Sequence, residues 1–216
     1  MNCSLCDTEA NIFSTGENRQ YRLCNLCGLI FVPPEFHVPT ESEIARYREH
    51  ENSLDNEGYV EMFMKKVVLV KEHCPQTKTA LDFGCGYEPV LKALLEREGI
   101  KTDVFDSNFF PDFPKRKTFD LVISTETFEH FKNPIKDIRQ AASCVSSTGF
   151  LAVMTRFYPL EKEIPCEEKF SDWYYKRDPT HIAFYTSKTF EWLAREMGFK
   201  IIYNNQFDFV LLQNLI

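Results

Sequence analysis

The stretch LDFGCGYEPVLKALLEREG, Leu81 to Gly99, leaves an apolar strand end, passes two glycines and a proline, and enters a run with helical spacing. Glycine lets a backbone turn tightly and approach a ligand closely, so Gly84 and Gly86 mark a cradling loop. Nucleotide loops place a third glycine two or three residues later. Here Glu88 or Pro89 stands there, according to whether the pattern is read as GxGxG or GxGxxG. Pro89 is still suited to open the following helix, which Gly99 ends.

The same alternation extends outward. TALDF, KTDVFD, FDLVIST and GFLAVMT read as strands, and NPIKDIRQAASCVSS as a helix with Asn133 as cap and Pro134 in the first turn. SKTFEWLAREMG is a helix with Ser187 near its cap and Gly198 past its end, and FKIIYN with QFDFVLL closes the chain as an antiparallel pair. Before them, two helices break around Ser53 to Gly58. Strands alternating with helices predict an α/β domain with a doubly wound, mostly parallel sheet. A ligand of such a sheet lies beyond the carboxyl ends of its strands. Asp106, at the end of the next strand, follows Gly84 by 22 positions, the spacing of a carboxylate that accepts from ribose hydroxyls. On these residues a dinucleotide and an S-adenosyl nucleoside fit equally.

Four of the eight cysteines form two pairs, CSLC (Cys3, Cys6) and CNLC (Cys24, Cys27), with 17 residues between them. Each pair can turn two thiolates on one ion, and two such knuckles complete a tetrahedron. Thiolate-only ligation selects Zn²⁺, and a closed four-cysteine site is structural. No βαβ pattern surrounds either pair, which argues against a redox CxxC. A hairpin between the knuckles turns near Gly16 and Asn18. FVPPEFHVPT then reads as a stiff, extended linker. The chain accordingly divides into a zinc ribbon with its proline-rich linker, residues 1–40, and an α/β domain, residues 41–216. The N-terminus lacks a basic and an apolar segment, and no apolar run reaches the roughly 18 residues of a membrane span, so a soluble cytoplasmic protein is expected.

FDLVISTETFEHFKNP, Phe119 to Pro134, taken with LDFGCG and the terminal strand pair, resembles class I S-adenosylmethionine-dependent methyltransferases. The resemblance covers Thr79 to Ile216. It implies a Rossmann-like fold in which Asp82, Gly84 and Gly86 contact the methionine part of S-adenosyl-L-methionine, Asp106 holds the ribose, and Thr125 and Glu126 line the cofactor. The four-cysteine ribbon is similar to those of sugar C-methyltransferases and some ribosomal-RNA guanine methyltransferases. Two departures stand out: Glu88 replaces the third glycine, and only twelve residues separate Asp106 from Phe119. SNFFPDFPKRKT cannot hold both a helix and a strand, so the third strand is expected to be shortened or absent. Its adenine-contacting acid has no counterpart better than Asp112, whose turn setting suits plain solvation equally well.

For the transfer itself, Glu129, His130 and His181 are the candidate catalytic groups. His181, near Asp178, is the expected general base, and Glu129 or His130 would orient it or the acceptor. Helix capping and core packing account for the same residues equally well. The aromatic run at Trp173, Tyr174 and Tyr175 reads either as an apolar substrate wall or as a satellite cluster. Tyr47 and His50 could form a lid, against the reading of a solvated amphipathic helix. A net charge of −7 disfavours general nucleic-acid binding, and residues 1–40 set Arg19 and Arg22 against Asp7, Glu9, Glu17 and Glu35. The expected partner is a small-molecule acceptor at O, N or C. The alternatives are an RNA methyltransferase gripping its substrate through the ribbon, and a non-catalytic S-adenosylmethionine-binding module.

Overall fold

A computed structural model describes residues 1–16, 18–49, 53–160 and 165–216. The expected hairpin is present: β1 (Asn11–Gly16) pairs antiparallel with β2 (Arg19–Leu23), and β3 (Ile30–Phe31) adds a third strand. Its turn carries Asn18 at φ 59°, a conformation that asparagine tolerates better than most residues. The proline-rich segment starts inside β3 and makes one 3-10 turn at Pro34–Phe36. Val32 and Pro33 are buried, so its first half is packed against the domain.

Two helices follow, α1 (Thr40–Glu49) and α2 (Glu57–His73), the second capped by Asn56 accepting from the Tyr59 N–H. The chain then runs through β4 (Thr79–Phe83), α3 (Val90–Arg97), β5 (Lys101–Phe105), β6 (Phe119–Thr125), α4 (Pro134–Ala142) and β7 (Val145–Met154). It finishes with α5 (Glu167–Asp172), β8 (Ala183–Phe184), α6 (Ser187–Met197), β9 (Phe199–Asn204) and β10 (Phe209–Asn214). Asn133 caps α4, Thr186 and Thr189 close a capping box on α6, and Gly198 ends α6 at φ 72°.

Six strands form the main sheet in the order β5-β4-β6-β7-β10-β9. The first four are mutually parallel, and β10 runs antiparallel to both its neighbours. This is the expected doubly wound sheet. The chain steps from β4 to β5 on one side and to β6 on the other, which opens a crevice at the carboxyl end of β4. Successive side chains of β4 face opposite layers. Ala80 packs with Phe63, Val67 and Leu91 from α2 and α3, while Leu81 joins the layer that holds Ile138, Phe190 and Leu193 from α4 and α6.

As anticipated, no strand lies between β5 and β6 among the described residues. Asp106 and Phe110 instead exchange two backbone hydrogen bonds of 3.0 Å, which close a tight turn and leave β5 at the sheet edge. The end of α4 departs from expectation. VSS belongs to β7, because the Ser143 hydroxyl closes on the Gln140 carbonyl at 2.7 Å and Val145 pairs with Phe119. A bulge with Thr148 at φ 63° then restores the strand register.

The ribbon's sheet does not end within the ribbon. Its order is β1-β2-β3-β8, so a strand from residues 183–184 completes it. Leu5, Ala10, Cys24 and Leu29 share one buried cluster with Leu81, Val122 and Leu193. The division at residue 40 is therefore a proposal about chain order, and packing crosses it.

Candidate active site

Beyond β4 the backbone reverses at Gly84, whose N–H reaches the Phe105 carbonyl at 2.7 Å. Gly84 has φ 83°, and a Cβ there would lie 2.2 Å from Cγ2 and 2.4 Å from Oγ1 of Thr127. Gly86, at φ 69°, has nothing within 4 Å of the same position, so its bare face opens on free space. Asp106 builds the opposite wall. Its Oδ2 accepts the Gly86 N–H at 3.1 Å, and its Oδ1 accepts the Asn108 and Phe109 N–H groups at 2.8 and 3.1 Å.

Asp82 sits at the floor, 1% exposed, and no hydrogen bond reaches either carboxylate oxygen among the described residues. Burial, then the charge of Asp106, raises its pKa to about 7, opposed by the Lys92 backbone N–H, which stops short of hydrogen-bond length, and by the Lys92 charge. A cavity of about 340 Å³ joins these groups, and Asp82, Gly84, Gly86, Asp106, Thr125 and Glu126 all border it. The six expected cofactor contacts thus converge on one space. A buried acid lacking a partner, beside a loop open to a close approach, fits a cationic amino-acid nucleoside.

His130 and His181 border the same cavity. A 3-10 turn at Phe128–His130 places Glu129 behind them, fully buried. The Tyr175 hydroxyl donates to Glu129 Oε1, whereas Oε2 has no partner among the described residues. His130 Nδ1 faces the Thr180 carbonyl at 3.0 Å, and His181 Nδ1 faces the Tyr175 carbonyl at 2.8 Å. Carbonyls only accept, so both Nδ1 atoms carry a proton, and in the neutral form of either ring the lone pair lies at Nε2. The two ring centroids are 4.9 Å apart. Burial, then His130, lowers the His181 pKa to about 4, although Glu129, Asp178 and the Tyr175 carbonyl oppose this. Burial, then Glu129 and Asp208, holds the Glu126 carboxyl well above its usual range.

Asp178 does not orient His181. Its Oδ1 accepts from the Thr180 N–H and hydroxyl at 2.9 and 2.6 Å, and its Oδ2 faces Arg46 at 3.3 Å. Thr180 and Arg46 engage both Asp178 oxygens, and the Tyr175 carbonyl takes the place at His181 Nδ1. Trp173 packs in a satellite cluster with Tyr158, Phe170 and Phe184, and Tyr174 is exposed. Neither borders the cavity, nor does Asp112, which is exposed. Tyr47 does border it, donating to Glu43 at 2.7 Å, with its ring 5.1 Å from that of His130. His50 lies outside the described residues. Sequence reasoning missed Tyr59, Met62 and Glu43 on the cavity wall. Amphipathic spacing in α1 and α2 signals a buried face and gives no hint that part of it faces a ligand.

The four ribbon cysteines converge as their spacing implies. Their sulfurs all lie within 4.8 Å of one another, with Cys3 to Cys27 at 3.6 Å and Cys6 to Cys24 at 3.3 Å. Hydrogen bonds from Cys27 and Cys3 pull the Cys24 thiol below its ordinary pKa. Four soft donors in one small space suit a tetrahedral thiophilic ion.

A glycine loop at the switch point of a doubly wound sheet, with an acid at ribose spacing, defines an α/β protein that binds a nucleoside cofactor. The comparisons make this specific: a methyltransferase domain family matches residues 55–204. The chain belongs to the class I S-adenosylmethionine-dependent methyltransferase domain family. No curated protein sequence matches it. Among solved structures, an O-methyltransferase family protein of Burkholderia thailandensis aligns at TM-score 0.56 and 15% identity, over 79% of this chain and 62% of that one. The chain thus spans less than two thirds of that protein. The 1,6-didemethyltoxoflavin N1-methyltransferase of the same organism, solved with 1,6-didemethyltoxoflavin and S-adenosylhomocysteine bound, aligns at TM-score 0.55 and 10% identity, over 97% of this chain and 100% of that one. At such identities the likeness concerns the fold. No helix among the described residues is long and apolar enough to cross a membrane.

Proposed function

We propose that this enzyme methylates a small-molecule acceptor seated at the His130 and His181 end of the cavity, with zinc in the ribbon as a structural ion. The observation that carries this reading is the continuity of one cavity from the partnerless Asp82 carboxylate to the two imidazoles. S-adenosylmethionine, when bound, supplies an electrophilic methyl group on a cationic sulfonium. On the protein side, Asp82 would face the cofactor's ammonium, the bare face of Gly86 would admit its methionine part beside Gly84, which lets the loop close on Thr127, and Asp106 would accept from a ribose hydroxyl through the lone pair left on Oδ2. Thr125 and Glu126, at the end of β6, close the cavity beside β4.

The acceptor's task falls to the far end. Positioning in line with the methyl group supplies ~7–11 kcal/mol of the barrier. Where the acceptor carries a proton, the Nε2 lone pair of His181 takes it, contributing about 10²–10⁴-fold. The His181 ring, its pKa lowered to about 4, is neutral near pH 7 and held by the Tyr175 carbonyl at Nδ1, so its Nε2 is aimed without a carboxylate relay. Tyr47 and Tyr59 cover the cavity from α1 and α2 and shield it from water. One neighbour in fold is a 1,6-didemethyltoxoflavin N1-methyltransferase, which supports a small-molecule acceptor, and the net charge of −7 points the same way.

Cys3, Cys6, Cys24 and Cys27 would hold one Zn²⁺, which leaves no open position for chemistry. The test is transfer of a radiolabelled methyl group from S-adenosylmethionine to cell extract separated into RNA, protein and small-molecule fractions. Label in the small-molecule fraction is expected; label confined to RNA or protein would overturn the acceptor class.

A further inference from the structure

We propose that Glu129, His130 and His181 form a second metal site, for a divalent first-row transition ion, open to the acceptor end of the cavity. Glu129 and one ring nitrogen from each histidine place three ligand atoms within 4.8 Å of one another. An ion with bonds of about 2.0–2.2 Å draws such atoms closer, which small side-chain rotations allow.

Three independent features favour an ion over a merely packed cluster. Glu129 is fully buried with Oε2 unpartnered, and a buried carboxylate oxygen without a donor is costly unless a cation meets it. Both imidazoles give their Nδ1–H to a backbone carbonyl, Thr180 for His130 and Tyr175 for His181. Metal-ligating histidines use this arrangement to fix the tautomer and aim the other nitrogen. Finally, the Tyr175 hydroxyl bonds Glu129 Oε1, which fixes the carboxylate and leaves Oε2 as the free donor. Tyr175 is thus the outer support of both Glu129 and His181.

Two imidazoles and one carboxylate suit Zn²⁺, Fe²⁺ or Co²⁺, whereas Mg²⁺ and Ca²⁺ require more oxygen. The set supplies three donors, and both histidines border the cavity, so any remaining position is taken by water or by an oxygen or nitrogen of the acceptor. This rests on seating the acceptor at this end, and it narrows the acceptor to one that can coordinate through a hydroxyl, carboxylate or amine. A coordinated His181 has no lone pair for a proton, so with the ion bound it no longer serves as the general base, and coordination would instead acidify the acceptor's own hydroxyl or amine, whose proton leaves to water.

The experiment uses full-length protein whose ribbon is first loaded with zinc, titrated with Co²⁺ and followed by visible absorption and calorimetry. One Co²⁺ per chain is expected beyond the ribbon zinc, with weak ligand-field bands and no thiolate charge-transfer band. His130→Ala and Glu129→Gln should each weaken it at least about 100-fold, and Tyr175→Phe by the 10–100-fold typical of an outer partner. S-adenosylmethionine binding by each variant reports that it is folded, and His181→Ala replaces any variant that is not. Absence of a second ion at millimolar Co²⁺, or affinity unchanged by both His130→Ala and Glu129→Gln, would overturn the proposal. Wild-type protein that binds S-adenosylmethionine but no second ion sinks the metal site alone and leaves His181 as proton acceptor. Wild-type protein that binds the ion but not S-adenosylmethionine sinks the functional reading instead.

Discussion

Replacing Asp82 by asparagine isolates the cost of the buried carboxylate beneath the glycine loop. Asp82 is 1% exposed, and burial followed by Asp106 raises its pKa from 3.8 to about 7. A rise of about three units, at about 1.36 kcal/mol each, means that ionised Asp82 destabilises the cofactor-free fold by about 4 kcal/mol above pH 7. Between pH 4 and 7 the folded chain keeps a proton that the unfolded chain has released, so this part of the stability falls as pH rises. Roughly 2–3 kcal/mol of the loss falls between pH 5 and pH 8. Asparagine does not titrate, although its unpartnered amide costs about 1–3 kcal/mol at every pH. Urea unfolding of wild type and Asp82→Asn across this range should therefore show the stability difference shifting toward the variant by roughly 2–3 kcal/mol from pH 5 to pH 8. A difference constant with pH would mean that Asp82 ionises like an exposed carboxylate, and the reasoning would fail. S-adenosylmethionine brings the missing cation, so wild-type affinity should rise with pH up to about 7 and then level off. Asp82→Asn should bind it more weakly, by ~1.5–3 kcal/mol for one charged hydrogen bond.

Asp106→Ala should lower cofactor affinity by ~1.5–3 kcal/mol in calorimetry, and also lower the melting temperature, because Gly86, Asn108 and Phe109 lose a shared acceptor. Wild-type affinity in that variant would remove Asp106 from the ribose site. Gly84→Ala combines a left-handed φ with a Cβ 2.2 Å from Thr127, so it should cost more than the ~1–3 kcal/mol of backbone strain alone. Gly86→Ala meets no atom and should cost only the strain of about 1–2 kcal/mol. Denaturant midpoints compare the two, and equal losses would contradict the clash.

The α/β plan was legible because each of its elements carries a local signal. TALDF, FDLVIST and the helix after Pro89 have unambiguous periodicity, and the twelve-residue gap before Phe119 left no room for a third strand. Spacing alone sufficed for the four cysteines, since each CxxC is a local turn. The far end of the cavity was legible only as a set of residue types. That His130 lies against His181 follows from β8 pairing with β3 and from the Ile182 N–H reaching the Glu129 carbonyl at 2.8 Å, both long-range contacts. The Asp178–His181 spacing suggested a relay, yet the short intervening turn directs Asp178 to Thr180. Strand β8, only two residues long, has too little pattern to be read before its partner is known.

That pairing also gives the ribbon a function apart from any substrate contact. The segment carrying Tyr175 and His181 has little regular structure of its own, and the ribbon holds it from several sides. Val32 donates to the Ile182 carbonyl at 2.8 Å, and Arg19 faces the carbonyls of Lys176, Asp178 and His181 at 3.4, 3.4 and 3.5 Å, with that of Pro179 also in contact. Tyr21 packs its ring 4.9 Å from Phe170. The glycine loop, by contrast, hangs from β4 and β5, well supported by the main sheet. Cys24→Ser, which removes one donor of the proposed zinc site, should therefore loosen the acceptor end before it disturbs the cofactor end. Turnover on an identified acceptor should fall by at least tenfold while S-adenosylmethionine affinity changes less than about threefold, since a misplacement near 1 Å can cost 10²-fold in rate. Metal content, calorimetry and turnover measured on one preparation check this. Equal losses of cofactor affinity and turnover would mean that the ribbon supports the whole domain through their shared core and does not selectively position His181.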